Sequence, residues 1–250
     1  MSAPALPSCA IGVMAKAPQA GRSKTRLCPP LLPGQAAALS AAFLRDTIEN
    51  LAIAARSAPI GSYAAYAPLG SEAVLRAHIG ADTNLLLADG SAPMPEGVDG
   101  FGRCLLQAIQ DMFAEGHRAA CVLSSDCPSL PTRNLSQAAE ILLESGDRAV
   151  LGATQDGGYY LLGLKTPHAQ LFRNISWSTA SVADQTRERA RQIGLELVEL
   201  EPWYDVDDAA SLGILLKEQA GYAAPRTNQI IDDLGLRQLP PFQTGLGGSG

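Results

Sequence analysis

Residues 14–27 read MAKAPQAGRSKTRL, placing Lys16, Arg22, Lys24 and Arg26 within eleven positions of a chain whose formal net charge is −6. Cations at that density, on a loop stiffened by Gly and Pro, can neutralise a diphosphate. Arg binds anionic oxygens in pairs and Lys acts as a point charge. The stretch is not a P-loop. Counted back from Lys24 and Thr25, the two glycines of G-x-x-x-x-G-K-[ST] fall on Pro18 and Ser23. Pro29 and Pro30 also prevent a helix from starting at once. The alternative to a phosphate site is a solvated basic loop.

A second cluster, SSDCPSLP at 124–131, sets Asp126 where an apolar strand gives way to a turn shaped by proline. A carboxylate held rigidly there suits Mg2+, which takes one or two carboxylates and completes its shell with substrate phosphates. A turn Asp bonding its own backbone is the other reading. DVDDAASL at 205–212 either opens a helix, with Asp207 or Asp208 as cap, or supplies a second carboxylate for the metal. In QDGGYYLLGL at 155–164, Asp156 could orient or deprotonate a hydroxyl, and Gly157 and Gly158 permit close backbone approach; a hairpin turn explains the same residues. Trp177, between polar neighbours in NISWST, is either a stacking platform for a sugar or base or a core residue.

These clusters need elements to hold them. Apolar strand patterns fall at 9–15, 60–68, 84–89, 118–126, 149–154, 159–164 and 195–200. Helical periodicity falls at 35–56, 71–79, 100–115, 132–145 (Thr132 as N-cap) and near 180–193, and a last helix opens at DVDD. Strands alternating with helices imply an α/β chain with a mainly parallel sheet and helices on both faces. Ligands of such sheets bind beyond the carboxyl ends of the strands, where the basic loop, SSDCPSLP and DGG all lie. Residues 1–238 are expected to form one domain, followed by a disordered Pro- and Gly-rich tail at 239–250.

Composition narrows the function. With 25 acidic against 19 basic residues, the chain does not look like a nucleic-acid binder. No apolar run approaches the ~20 residues of a membrane span, and MSAPALPSCA lacks the features of a signal peptide, so a cytoplasmic protein without membrane partners is expected. Cysteines at 9, 28, 104, 121 and 127 and three scattered histidines have no structural-zinc spacing and read as free thiols.

In their order, MAKAPQAGRSKTRL, SSDCPSLP, ATQDGGYYLLGL, LFRNISWST and DVDDAASL resemble the bacterial family of nucleotide-sugar glycosyltransferases often named for arsenosugar biosynthesis. Its broader relatives include the molybdenum cofactor and 2-phospho-L-lactate guanylyltransferases. The likeness runs from about residue 10 to 215 and implies a single Rossmann-like nucleotide-diphospho-sugar transferase (GT-A) domain. It further implies that Lys16, Arg22, Lys24 and Arg26 hold nucleotide phosphates and that Asp126 and Asp207 hold Mg2+ or Mn2+. Asp156, Gly157 and Gly158 then face the sugar or acceptor. Two positions depart from the family: Ser124 stands where glycine is usual, and Asp208 replaces a threonine.

The expected activity is glycosyl transfer from a nucleotide-sugar donor to a small-molecule acceptor, with Asp126 and Asp156 as catalytic residues, the first holding the metal and the second orienting the acceptor or taking its proton. The same cations and metal could instead serve a nucleotidyltransferase that expels pyrophosphate, although such relatives open with a glycine-rich LAGG-like loop where this chain has MAKAPQAG. A non-catalytic nucleotide-binding module is the third alternative.

Overall fold

A computed structural model describes residues 9–80, 83–217 and 220–238. Along the chain run β1 (Cys9–Lys16), α1 (Pro33–Ala54), β2 (Ile60–Ala67), α2 (Glu72–Arg76), β3 (Asn84–Leu87), α3 (Phe101–Ala114) and β4 (Ala119–Ser124). Then follow α4 (Thr132–Leu143), β5 (Arg148–Ala153), β6 (Tyr159–Leu164), α5 (Val182–Gln192), β7 (Glu196–Glu199), α6 (Ala209–Leu215) and α7 (Pro225–Asp233). The expected tail at 239–250 lies outside the described residues.

Among the described residues the strands form one seven-stranded sheet in the order β3-β2-β1-β4-β6-β5-β7. β1 lies parallel between β2 and β4, with Met14 level with Ala65 and Ser124. β6 alone runs antiparallel, against β4 and β5. The reason is the connection: residues 154–158 are too few for a crossover, so β6 can only fold back on β5 as a hairpin. β5 therefore points the same way as β1 and β4, and the three polar clusters share one edge.

Buried strands covered on both sides need apolar residues at every position, and β1 shows how both parities are used. Cys9, Ile11, Val13 and Ala15 join the core under α1 and α4, with Leu44, Ile48, Leu51 and Leu135. Ala10 faces the other layer, where Leu105, Ile109 and Met112 of α3 pack. Gly12 faces that layer too, and a Cβ there would lie 3.2 Å from the Met112 sulfur. A third cluster ties Leu27 and Leu31, just after the basic loop, to Leu39 and Phe43 of α1, Val206, Leu212 of α6 and Ile231 of α7. Each such leucine contributes about 1.5–3 kcal/mol on burial, so this cluster fixes the base of the loop. No helix of the described residues is long and apolar enough to cross a membrane.

Two local features differ from the sequence reading. Thr132 is the first helical residue of α4 rather than its cap, a position held by Pro131. Its hydroxyl instead donates to Asn50 Oδ1 at 2.6 Å, because Asn50 is fixed beside it by donating to the Leu130 carbonyl at 2.7 Å. The second is α7, which the periodicity did not mark. It starts at Pro225, and the fully buried carboxylate of Asp46 on α1 accepts from the Arg226 and Thr227 N–H groups at 3.0 and 2.7 Å. Burial raises the Asp46 pKa, while those bonds favour the charged form. Asp46→Ala should therefore cost about 1–2 kcal/mol in urea unfolding, as loss of a helix cap does. An unchanged unfolding midpoint would contradict this role.

Candidate functional site

The basic loop is wound so that one of its four cations points inward. Arg22 and Ser23 N–H both donate to the Gln19 carbonyl, and Gln19 N–H donates to Ser23 Oγ at 3.0 Å. Gly21 turns at φ 75°, and Lys24 itself takes a left-handed conformation at φ 49° before the 3-10 turn Thr25–Leu27. Such backbone costs a non-glycine residue on the order of 1–3 kcal/mol and persists only where the surroundings impose it. Leu27 imposes it from one side, and the Lys24 ammonium from the other.

Lys24 Nζ lies 2.7 Å from Asp126 Oδ1 and 2.6 Å from Asp207 Oδ1, with 6% of its side chain exposed. It also sits 5.6 Å above the centre of the Phe43 ring, within range of a cation–π attraction. Burial works against the charge, but the two carboxylates outweigh it and hold the pKa above the usual lysine value. Both acids remain partly open to solvent, at 37% and 41%.

Asp126 follows the end of β4, where its N–H donates to Ser124 Oγ at 3.1 Å. Its carbonyl accepts from Val206 N–H at 2.9 Å, and this bond draws the DVDD segment alongside. The three acids of that segment divide their roles. Asp208 caps α6, its carboxylate accepting from Ser211 N–H at 2.8 Å. Asp207 reaches Lys24. Asp205 has its pKa pushed up to about 6, first by burial and then by the charges of Asp156 and Asp207.

Asp156 is exposed on the β5–β6 turn, where its Oδ1 accepts from Thr154 Oγ1 at 2.6 Å and Gly158 N–H at 3.0 Å. The turn is tied down on both sides. Gln155 N–H donates to the Trp203 carbonyl, and Ala183 N–H to the Gly157 carbonyl. Gly157, at φ 91°, makes its close approach to the protein's own chain, since a Cβ there would lie 2.0 Å from the Ala180 carbonyl oxygen. The hairpin reading and the acid's availability are thus compatible: the turn fixes the carboxylate while leaving it exposed.

The remaining expected residues spread along the edge. Lys16, Arg22 and Arg26 are exposed; Arg26 bears electrostatically on Asp208 and Lys16 on Cys104 at the α3 side. Trp177 packs on the start of α3, edge-on to Phe101 with centroids 5.9 Å apart, and a Cβ on Gly102 would lie 2.7 Å from its ring. Sequence patterns did not mark Phe43 beneath Lys24, which is one apolar position among many on α1. Nor did they mark Trp203, stacked on Tyr204 at 5.5 Å with its Nε1 donating to Ser129 Oγ. Its only sequence signal is the WY pair before DVDD.

A divalent ion fits this donor set. Among the described residues no three Asp, Glu, His or Cys side chains gather as a closed metal centre. Two carboxylates converging on one point, now marked by an ammonium nitrogen, match an ion that takes its other ligands from phosphate and water.

The α/β architecture is a fold shared with nucleotide-sugar transferases and nucleotidyltransferases. The chain belongs to the family described as an uncharacterized protein conserved in bacteria (DUF2064), which its residues 39–179 match. It is similar in structure to a candidate nucleotide-diphospho-sugar transferase from Desulfovibrio desulfuricans G20, with a TM-score of 0.76 and 25% identity over 92% of this chain and 97% of the other. A cytidylyltransferase from Leptospira borgpetersenii serovar Hardjo-bovis (strain JB197) shares the fold at a TM-score of 0.50 and 12% identity, covering 96% and 99% of the two chains. Among curated proteins none matches.

The Asp205 shift has a stability consequence in protein free of divalent ions. A carboxyl whose folded pKa is raised contributes stability fully present below its unfolded value of 3.8 and lost as pH rises through about 6. Asp205→Asn should therefore gain on the wild type across that window, by on the order of 1 kcal/mol after solvent screening, in urea titrations at pH 4 and pH 7. Parallel pH–stability curves for the two proteins would contradict it.

Proposed function

We propose that this chain is a metal-dependent transferase that uses a nucleotide-activated donor, passing a glycosyl group from a nucleoside-diphosphate sugar to a small-molecule acceptor. The observation that carries the reading is the Lys24–Asp126–Asp207 bridge at the carboxyl ends of β1 and β4, ringed by the exposed Lys16, Arg22 and Arg26. The likeness to the D. desulfuricans protein supports the same donor class. A cytoplasmic setting and kinship with the arsenosugar-type glycosyltransferases belong to the same proposal.

Asp126 and Asp207 would hold Mg2+ or Mn2+, which supplies a Lewis acid for the departing diphosphate. The chain's own cations do the rest of the anion binding. Arg22 and Arg26 can each bind phosphate oxygens in pairs, Lys16 and Lys24 add point charges, and charge positioned before reaction is usually the largest catalytic term. The bond from the anomeric carbon to the diphosphate oxygen breaks as the acceptor oxygen bonds that carbon. Asp156, fixed by Thr154 and Gly158 yet exposed, orients the acceptor hydroxyl and takes its proton.

Thermal unfolding in the presence of nucleoside triphosphates, diphosphates and diphosphate sugars, with and without Mg2+ or Mn2+, tests this directly. One diphosphate sugar or its parent diphosphate should stabilise most, only with metal, by about 2.7 kcal/mol at 100 times its dissociation constant. A triphosphate preference would assign nucleotidyl transfer instead, and no response to any compound would overturn the reading. With the donor so found, Asp126→Asn should abolish turnover while the unfolding midpoint stays near that of the wild type. Wild-type turnover would remove Asp126 from the mechanism.

A further inference from the structure

The buried ammonium and a divalent ion require the same place. Asp126 Oδ1 and Asp207 Oδ1 both lie at hydrogen-bond distance from Lys24 Nζ, at 2.7 and 2.6 Å, so any ion ligated by those two oxygens displaces that nitrogen. The two cations cannot share the gap, because repulsion between charges so close is large in a partly buried site. From this geometry we infer that Lys24 is the resident counter-ion of the acid pair and that it competes with the divalent ion for Asp126 and Asp207. The exchange rests on the transferase reading for its destination, since the expelled ammonium needs an anion and the donor's phosphates supply one.

Three observations support an exchange rather than a permanent bridge. The acids are reached from two sides, since Lys24 approaches from within while more than a third of each carboxylate side chain faces solvent. The lysine is carried by strained left-handed backbone, between the exposed Arg22 and Arg26, on a loop rather than within a helix or strand. Negative charge also exceeds what one ammonium can offset, since Asp156 and Asp207 bear electrostatically on Asp205 beside the pair that Lys24 bridges. Asp126, Asp205, Asp207 and Asp156 form an acidic group that Lys24 partly neutralises in the free protein, and a doubly charged ion can take over that task once the ammonium moves to phosphate. Metal alone is then a poor ligand, whereas metal and diphosphate reinforce each other's binding, as coupled ligands must reciprocally.

The test uses Mn2+ alone, followed by the electron paramagnetic resonance signal of the free ion, on wild-type protein and on Lys24→Met, which keeps an unbranched stem over Phe43. Without nucleotide, Lys24→Met should bind Mn2+ at least about tenfold more tightly than the wild type. Equal or weaker binding by a folded variant overturns the competition. A second readout needs no variant: acetylation of lysines in the wild type, mapped by mass spectrometry. Lys24 should be protected without metal and should become reactive as Mn2+ is added, in step with binding; protection unchanged at saturating Mn2+ overturns the inference. The transferase reading fails separately. If exchange is seen but no nucleotide or diphosphate sugar binds, that reading falls and the competition stands. If a diphosphate sugar binds with metal while Lys24 stays protected, the competition falls and the transferase stands.

Discussion

One ammonium ties together three segments of this chain that lie far apart in sequence. Lys24 and Asp207 are 183 positions apart in sequence, and the bond between them, with its counterpart to Asp126, joins the first loop, the turn after the fourth strand and the approach to the sixth helix. Placing these charges away from water is costly, and the arrangement is tolerable only because each partner offsets the others. Taking away the ammonium leaves two carboxylates facing one gap, and taking away a carboxylate leaves a nearly buried cation half paired. The left-handed turn at Lys24, the backbone bond from Val206 to Asp126 and the aromatic floor of Phe43 all serve that contact.

The sheet makes the contact available. Parallel strands put their carboxyl ends on one side, and the single reversed strand, β6, is the product of a short hairpin that also brings Asp156 to that side. The 201–205 segment then runs along the end of β5, with Trp203 bonded to Ala153 and Gln155, and so delivers Asp205 and Asp207 to the edge already occupied by Asp126. The third apolar cluster closes the arrangement from the α1 side, where Leu27 and Val206 share neighbours that neither has in sequence. A site assembled from four separate loops is thereby fixed by backbone pairing and packing, with Lys16, Arg22 and Arg26 left exposed beside it.

Much of this was legible from residue order alone. Apolar strands spaced by amphipathic helices gave the layered sheet, and the convergence of Asp126, Asp156 and the basic loop followed from the rule that carboxyl ends collect ligands. The pairing of Asp126 with Asp207 came from resemblance rather than spacing, since nothing local links residues 81 positions apart. The sequence could not show that Lys24, alone among the four cations of the loop, turns inward. That choice depends on a backbone conformation set by Leu27 and by acids remote in sequence. The split of DVDD into a cap, a lysine partner and a carboxyl with a raised pKa depends on which way each side chain faces across a bend. Helix α7 escaped because its stabiliser, Asp46, lies on another helix, and Thr132 lost its expected role because the helix begins one residue earlier, with Pro131 at the cap and the Thr132 hydroxyl donating to Asn50.

On the proposed function, the cation-filled gap between Asp126 and Asp207 receives a nucleotide's diphosphate and its metal. The most direct measurement is a crystal structure of the protein with Mn2+ and a nucleoside diphosphate, with the metal located by anomalous scattering. One strong peak is expected between Asp126, Asp207 and the diphosphate, with Lys24 Nζ turned from the carboxylates to a phosphate oxygen. A diphosphate bound away from residues 16–26, or a metal peak elsewhere with Lys24 still between the two acids, would contradict it.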